Sequence, residues 1–164
     1  MIIIVTGTPC TGKTDLAKAI AKEKGFTYID VNTIIDSQGL KESYDKERDT
    51  YIVDEEKLVA ALKDKIKEGK DYVIDSHMSH ELPANLVDKC IVTKCDIKVL
   101  KKRLEKRGYS EAKVKENLDA EIFDICFNEA TEKGHKVTVI DTSNKSAEDL
   151  AKEIWKLFKP KTDL

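Results

Sequence analysis

The 164-residue chain has no apolar stretch approaching the roughly 20 residues that cross a bilayer, and its N-terminal apolar run, Ile2–Val5, is too short for a secretory core and has no basic flank. A cytoplasmic protein without a membrane partner is expected. Four cysteines, Cys10, Cys90, Cys95 and Cys126, form no C-x-x-C pair, and no histidine stands beside Cys90 and Cys95 to complete a zinc set. Reduced, mostly buried thiols are the expectation. An excess of one charge is missing too: 29 Lys and Arg against 31 Asp and Glu leave a net charge of −2, without the electrostatic footprint of a dedicated nucleic-acid binder. No repeat, low-complexity tract or linker divides the sequence, so residues 1–164 are expected to form one domain, with a monomer as the expected state.

What is present is an alternation of β-branched runs and helical patterns. Ile2–Val5 has the continuous apolar character of a strand covered on both faces. Leu16, Ala17, Ile20 and Ala21 then repeat at helical spacing up to Gly25. The pattern predicts further strands over 26–31, 72–74, 90–93 and 137–140. It predicts a helix capped by Asp54, carrying Leu58, Val59, Leu62 and Ile66 and ended by Gly69. Helices over about 97–107 and 111–133, and a closing helix with Leu150, Ala151, Ile154, Trp155 and Phe158, complete the reading. Strands separated by helices imply a three-layer α/β fold, a five-stranded parallel sheet with helices on both faces and ligands at the carboxyl ends of the strands. Residues 32–53 show no clear period.

Between the first strand and the first helix lies Gly7-Thr8-Pro9-Cys10-Thr11-Gly12-Lys13-Thr14, a match to G-x-x-x-x-G-K-[ST] in the context that gives the pattern meaning. Glycines let successive backbone N–H groups turn inward on phosphate oxygens, and the following helix adds the positive end of its dipole. In such a P-loop Lys13 bridges the β- and γ-phosphates and Thr14 gives its hydroxyl to Mg²⁺. Nucleoside triphosphate binding is the expectation.

Asp75 leaves the third strand beside this loop, placed to hold Mg²⁺ or its waters, and His77 shares its face if the strand continues. His77 then either positions a reacting oxygen or is structural. His77 and His80 could also share a metal on a helix, although a Mg²⁺ site explains Asp75 with fewer assumptions. Lys94, Lys98, Lys101, Lys102, Arg103, Lys106 and Arg107 form a basic surface against only Asp96 and Glu105. Such a run is often a solvated face, but Arg103 and Arg107 at i, i+4 project together, beside a Gly108 break where a lid can begin. The opposite balance holds from Glu42 to Glu56, with seven acids against Lys46 and Arg48. A GTPase reading is weak: Asp36-Ser37-Gln38-Gly39 fits D-x-x-G, but after Asn144-Lys145 position 147 is Ala, so the guanine-selecting carboxylate is missing.

Taken with Tyr44-Asp45, Ile52-Val53-Asp54-Glu55, Asp75-x-His77, Arg103-Leu104-x-x-Arg107-Gly108-Tyr109, Glu121-Ile122-Phe123 and Ser143-Asn144-Lys145, the loop makes nearly the whole chain resemble the adenylate kinase 6 family. These are short adenylate-kinase-like NTPases of archaea and eukaryotes linked to small ribosomal subunit maturation. The resemblance implies a nucleoside monophosphate kinase-like P-loop domain, with a small acceptor lobe at about 32–53 and a short lid at about 105–117. It implies ATP phosphates on Gly7–Thr14, Mg²⁺ and the attacking group organised by Asp75 and His77, charge neutralisation by Arg103 and Arg107, and adenine bordered by Ser143, Asn144 and Lys145. A turn capped by Ser143 or Ser146 fits those last residues equally well. The expected substrates are ATP and AMP or a related monophosphate, with ATP hydrolysis as a second activity. The resemblance also implies a ribosomal protein or rRNA precursor as partner. One residue departs from it: Asp36 stands where an acceptor-binding arginine is expected, leaving Arg48 as a substitute.

Overall fold

A computed structural model describes residues 1–159. In chain order the elements are β1 (Ile2–Gly7), α1 (Lys13–Lys24), β2 (Thr27–Asp30), α2 (Val31–Ser37), β3 (Lys41–Asp45), β4 (Thr50–Val53), α3 (Glu55–Lys65), β5 (Tyr72–Asp75), β6 (Lys89–Lys94), α4 (Ile97–Lys106), α5 (Glu111–Ile122), α6 (Ile125–Glu132), β7 (Val137–Asp141) and α7 (Ala147–Phe158). Two short 3-10 turns, Ser79–Glu81 and Ala84–Leu86, join β5 to β6.

Five strands form a parallel sheet in the order β2-β5-β1-β6-β7, as the alternation of strand and helix predicts. Its continuous apolar strands serve two cores. Ile3 and Val5 pack with Leu16, Ile20, Ile154 and Trp155 of α1 and α7, whereas Ile4 and Ile74 pack with Leu58 and Leu62 of α3 and with Val31 and Ile34 of α2. Period-2 alternation thus sends neighbouring residues into opposite helical layers, and both need apolar side chains. A smaller cluster of Cys95, Leu100, Leu104 and Val114 joins α4 to α5. From β1 the chain first fills one side of the sheet, with β2 and β5, and then crosses to the other, with β6 and β7, so the carboxyl end of β1 is the switch point where such sheets leave a crevice.

Three expectations need correction. The helix expected over 111–133 is two helices, α5 and α6, because Asp124 adopts a left-handed φ of 53°. Lys94 compensates: its ammonium bonds Glu121 Oε1 at 2.6 Å, the Glu121 carbonyl at 2.8 Å and the Asp124 carboxylate, pinning the bend to the end of β6. The aperiodic stretch 32–53 is α2 followed by the antiparallel hairpin β3–β4. The helix begun at the Asp54 cap ends at Lys65, before Gly69. The Ser146 side chain accepts from Asp149 N and caps α7, satisfying the capping alternative for that loop.

Candidate active site

The carboxyl ends of β1, β5 and β7 open into a cleft of about 760 Å³. Its floor is the loop after β1. Gly7 has φ 147°, and a Cβ there would lie 2.3 Å from Thr93 Oγ1 and 2.8 Å from the Thr93 carbonyl, so β6 approaches too closely for any side chain. Gly12, at φ 83°, starts α1, and among the described residues no side chain caps that helix. The first N–H groups of α1 therefore face the cleft without a competing side-chain acceptor, ready for an anion. Thr11 holds the curl by donating to the Thr8 carbonyl at 2.6 Å, and Thr142 Oγ1 donates to the Thr11 carbonyl at 2.5 Å. Lys13 Nζ folds back on the Thr8 carbonyl at 3.0 Å. Protein walls around this ammonium lower its pKa, an effect partly offset by Asp75.

Asp75 ends β5 and is 4% exposed. Both Thr14 Oγ1, at 2.7 Å, and the Tyr28 hydroxyl, at 2.8 Å, donate to its Oδ2. Burial, followed by the bond to Asp75, raises the Tyr28 pKa and keeps that hydroxyl a donor. These oxygens suit a hard divalent cation that takes the rest of its shell from phosphate and water, so the residues present fit Mg²⁺. Among the described residues no group of three or more His, Cys, Asp or Glu could hold a metal, so the alternative of a shared histidine site finds no support.

β5 stops at Asp75, and His77 reaches the cleft through a turn in which Ser76 Oγ accepts from Met78 N, rather than along a continuing strand. Although water reaches the ring from the cleft, the surrounding walls and then the Lys13 ammonium lower its pKa to about 4, leaving a neutral imidazole.

From α4, Arg103 Nη1 comes within 3.5 Å of the Cys10 carbonyl, Arg103 Nη2 bonds the Thr142 carbonyl at 3.1 Å, and Arg107 Nη1 lies 3.5 Å from Cys10 Sγ. Cys10 itself has φ 66°, unusual for a residue with a side chain. Of the residues expected from sequence, Thr8, Pro9, Cys10, Gly12, Lys13, Thr14, Asp75, His77, Arg103, Arg107 and Lys145 border the cleft; Gly7 and Thr11 are buried beneath it. Asn144 borders a separate groove beside β7, and Ser143 Oγ is engaged with Asp141 at 2.5 Å and Asp96 N at 2.8 Å. Asp36 pairs with Lys41 at 2.8 Å and is not among the cleft residues, whereas Arg48 is.

Sequence reasoning missed Tyr28, Asn32, Lys113, Glu116 and Glu129, which also border the cleft or hold its residues. Only the position of Tyr28 near the end of β2 carried any local signal. The hairpin and α5 meet over the cleft: Arg48 Nε bonds Glu116 Oε1 at 2.7 Å, and Lys113 Nζ donates to the Asp49 carbonyl at 2.9 Å.

The parallel sheet, the glycine-bounded loop and the lysine at the start of α1 define an α/β P-loop protein of kinase type. Comparison with known proteins agrees. The family profile described as "AAA domain" matches residues 3–124. A Methanocaldococcus jannaschii protein named "Putative adenylate kinase" is 37% identical over 99% of this chain and 89% of its own length. A Dictyostelium discoideum protein named "Adenylate kinase isoenzyme 6 homolog" is 36% identical over 90% of this chain and 83% of its own. Among solved structures, shikimate kinase from Acinetobacter baumannii shares the fold with a TM-score of 0.67 at 18% identity, covering 95% of this chain and 91% of that one. The YorR protein of Bacillus subtilis, solved with phosphorylated GDP, gives 0.62 at 20% identity over 96% and 95%. The chain belongs to the family of these adenylate kinase 6-type proteins.

Proposed function

We propose that the protein transfers the γ-phosphoryl group of ATP to AMP or a related nucleoside monophosphate, with ATP hydrolysis as a second activity. The observation that carries this reading is the Thr14–Asp75 hydrogen bond at the mouth of an uncapped helix N-terminus, beside Lys13. Polyphosphate lies on the amides of Gly7–Thr14, with Lys13 leaving the Thr8 carbonyl for the β- and γ-oxygens. Mg²⁺, held through Thr14 and Asp75, supplies charge neutralisation on the phosphates. Neutral His77 orients the attacking oxygen by accepting a hydrogen bond from it, and Arg103 and Arg107 meet the charge on the transferring group. Most of the acceleration then comes from positioning and fixed charge.

The acceptor lobe is α2 with the hairpin, residues 32–53, and the lid is 105–117, from the end of α4 through Gly108 into α5. In this reading Arg48 replaces the arginine missing at position 36 and exchanges Glu116 for the acceptor phosphate. Ser143–Lys145 border the adenine, a role supported only for Lys145 by its place on the cleft wall. Initial rates of ADP formation with and without AMP test the assignment: AMP should be consumed in proportion, and ADP production indifferent to AMP removes the kinase reading.

A second reading is an ATP-driven factor in small-subunit rRNA maturation, contacting a ribosomal protein or rRNA precursor. It is supported by the exposed Lys98, Lys101, Lys102 and Lys106 on the outer side of α4, whose inner side carries Arg103 to the cleft. A partner pull-down in ATP against ADP tests it, since a switch must bind differently in its two states.

A further inference from the structure

From beneath the cleft floor runs a line of hydrogen bonds that the proposed reaction does not use, buried at Thr6 and His80 and ending at the half-exposed Glu129 on the cleft wall. His80 is 2% exposed, with Nδ1 2.8 Å from Thr6 Oγ1 and Nε2 3.0 Å from Glu129 Oε2; its backbone carbonyl accepts from His135 Nε2 at 2.8 Å. Thr6 is fully buried, so its hydroxyl cannot reach a substrate, and the Thr-His-Glu line is not a nucleophile set. It stands immediately before Gly7, and its hydroxyl is also 3.3 Å from the His77 carbonyl. The line therefore ties α6 to the root of the phosphate-binding loop and to the turn after Asp75.

Proton counting fixes the arrangement. The Glu129 carboxylate accepts, so Nε2 carries hydrogen, and a neutral ring then leaves Nδ1 to accept from the Thr6 hydroxyl. One hydroxyl proton cannot serve both His80 Nδ1 and the His77 carbonyl, and the shorter contact takes it. A charged ring would donate from both nitrogens and turn the Thr6 hydroxyl toward His77. The other groups facing His80 are Glu81, 3.7 Å from Nε2, Lys133, which pairs with Glu81 at 2.6 Å, and the His77 ring. Burial outweighs the two carboxylates and lowers the pKa of the ring, which favours the neutral form.

We propose that His80 is a positioning residue for phosphoryl transfer: accepting from Thr6 while donating to Glu129, it fixes the phosphate-binding loop relative to the turn that carries His77. The proposal rests on the phosphotransferase reading for its rate effect, but not for its tautomer.

Two measurements test it on the full chain. Nitrogen-15 shifts of the His80 ring at pH 7.5 need no substrate and should show hydrogen on Nε2 with a bare Nδ1; the opposite tautomer or a charged ring overturns the proposal. In kinetics, His80→Asn keeps an acceptor near the Nδ1 position, whereas His80→Gln keeps a donor toward Glu129 and loses that acceptor. His80→Gln and Thr6→Val should lower kcat about tenfold with KM for ATP within about twofold, and His80→Asn should stay within about threefold of wild-type kcat. Wild-type kcat in His80→Gln, or equal losses in both His80 variants that follow Tm alone, is the signature of a merely structural role and overturns the proposal. Should His80→Gln not fold, Thr6→Val carries the comparison. A wild-type protein that does not phosphorylate AMP removes the acceptor assignment alone, because the same rate ratios are then read on ATP hydrolysis.

Discussion

Thr14 Oγ1 donates to Asp75 Oδ2 at 2.7 Å, joining the first turn of α1 to the end of β5. The carboxylate is nearly buried, yet its Oδ2 takes a second hydroxyl, that of Tyr28, so its orientation is fixed before any ligand arrives. Asp75→Asn keeps an oxygen for those hydroxyls and removes the charge. Activity in Mg·ATP should fall about a hundredfold or more while Tm moves by only a few degrees. Steady-state rates and a thermal melt check both halves, and a variant that keeps wild-type rates would remove Asp75 from the site.

At Gly7 the constraint is steric. A methyl group at φ 147° meets Thr93 Oγ1 and the Thr93 carbonyl of β6; the carbonyl cannot yield without disturbing the sheet, and the hydroxyl can turn away only by giving up its bonds to Thr11 Oγ1 and the Thr6 carbonyl. Gly7→Ala should cost about 2 kcal/mol or more of stability, and should weaken ATP binding by displacing the loop. Urea unfolding together with ATP calorimetry separates the two effects. Gly39, φ 61°, has open space at its Cβ position, so Gly39→Ala carries only the backbone strain and should leave ATP binding unchanged.

These two sites were legible in the sequence for different reasons. Gly7 through Thr14 is a local code, because one short segment contains both the turn and the cation. Asp75 follows from its place at the end of a β-branched run. His77 was expected from strand alternation two residues after Asp75, but its actual route to the cleft was not legible, since only the structure shows β5 stopping at Asp75. The hairpin was illegible because β3 and β4 are largely exposed, so neither face needs an apolar period. The break at Asp124 has no glycine or proline to announce it; it depends on Lys94, 30 residues away in the chain.

Arg48 and Glu116, 62% and 41% exposed, form an ion pair that contributes at most about 1 kcal/mol to stability in water. If Arg48 binds the acceptor phosphate, Arg48→Ala should raise KM for AMP about tenfold, leave KM for ATP nearly unchanged and shift Tm little. Glu116→Gln frees the guanidinium from its competitor and should lower KM for AMP. Opposite movements of KM in the two variants identify the exchange; movements in the same direction would mean that the pair only holds the hairpin against α5.

The buried His80 gives the free protein a signed response to pH. An unfolded histidine titrates near pH 6.5. In the fold, burial lowers the pKa despite Glu129 and Glu81, so the unfolded chain takes up a proton that the native protein refuses. The stability held at His80 is therefore fully present above about pH 6.5 and is lost as pH falls from there toward the lowered native value, by at most about 1.4 kcal/mol per pH unit. Urea unfolding of wild type and His80→Asn between about pH 7.5 and 5.2, above most carboxylate titrations, isolates this contribution. The wild type should lose more stability over that interval than the variant. If the Glu129 carboxylate instead held His80 as a charged ion pair, the native pKa would be raised and wild-type stability would grow on acidification relative to the variant. The sign of the difference thus reports whether burial or the carboxylate governs the ring.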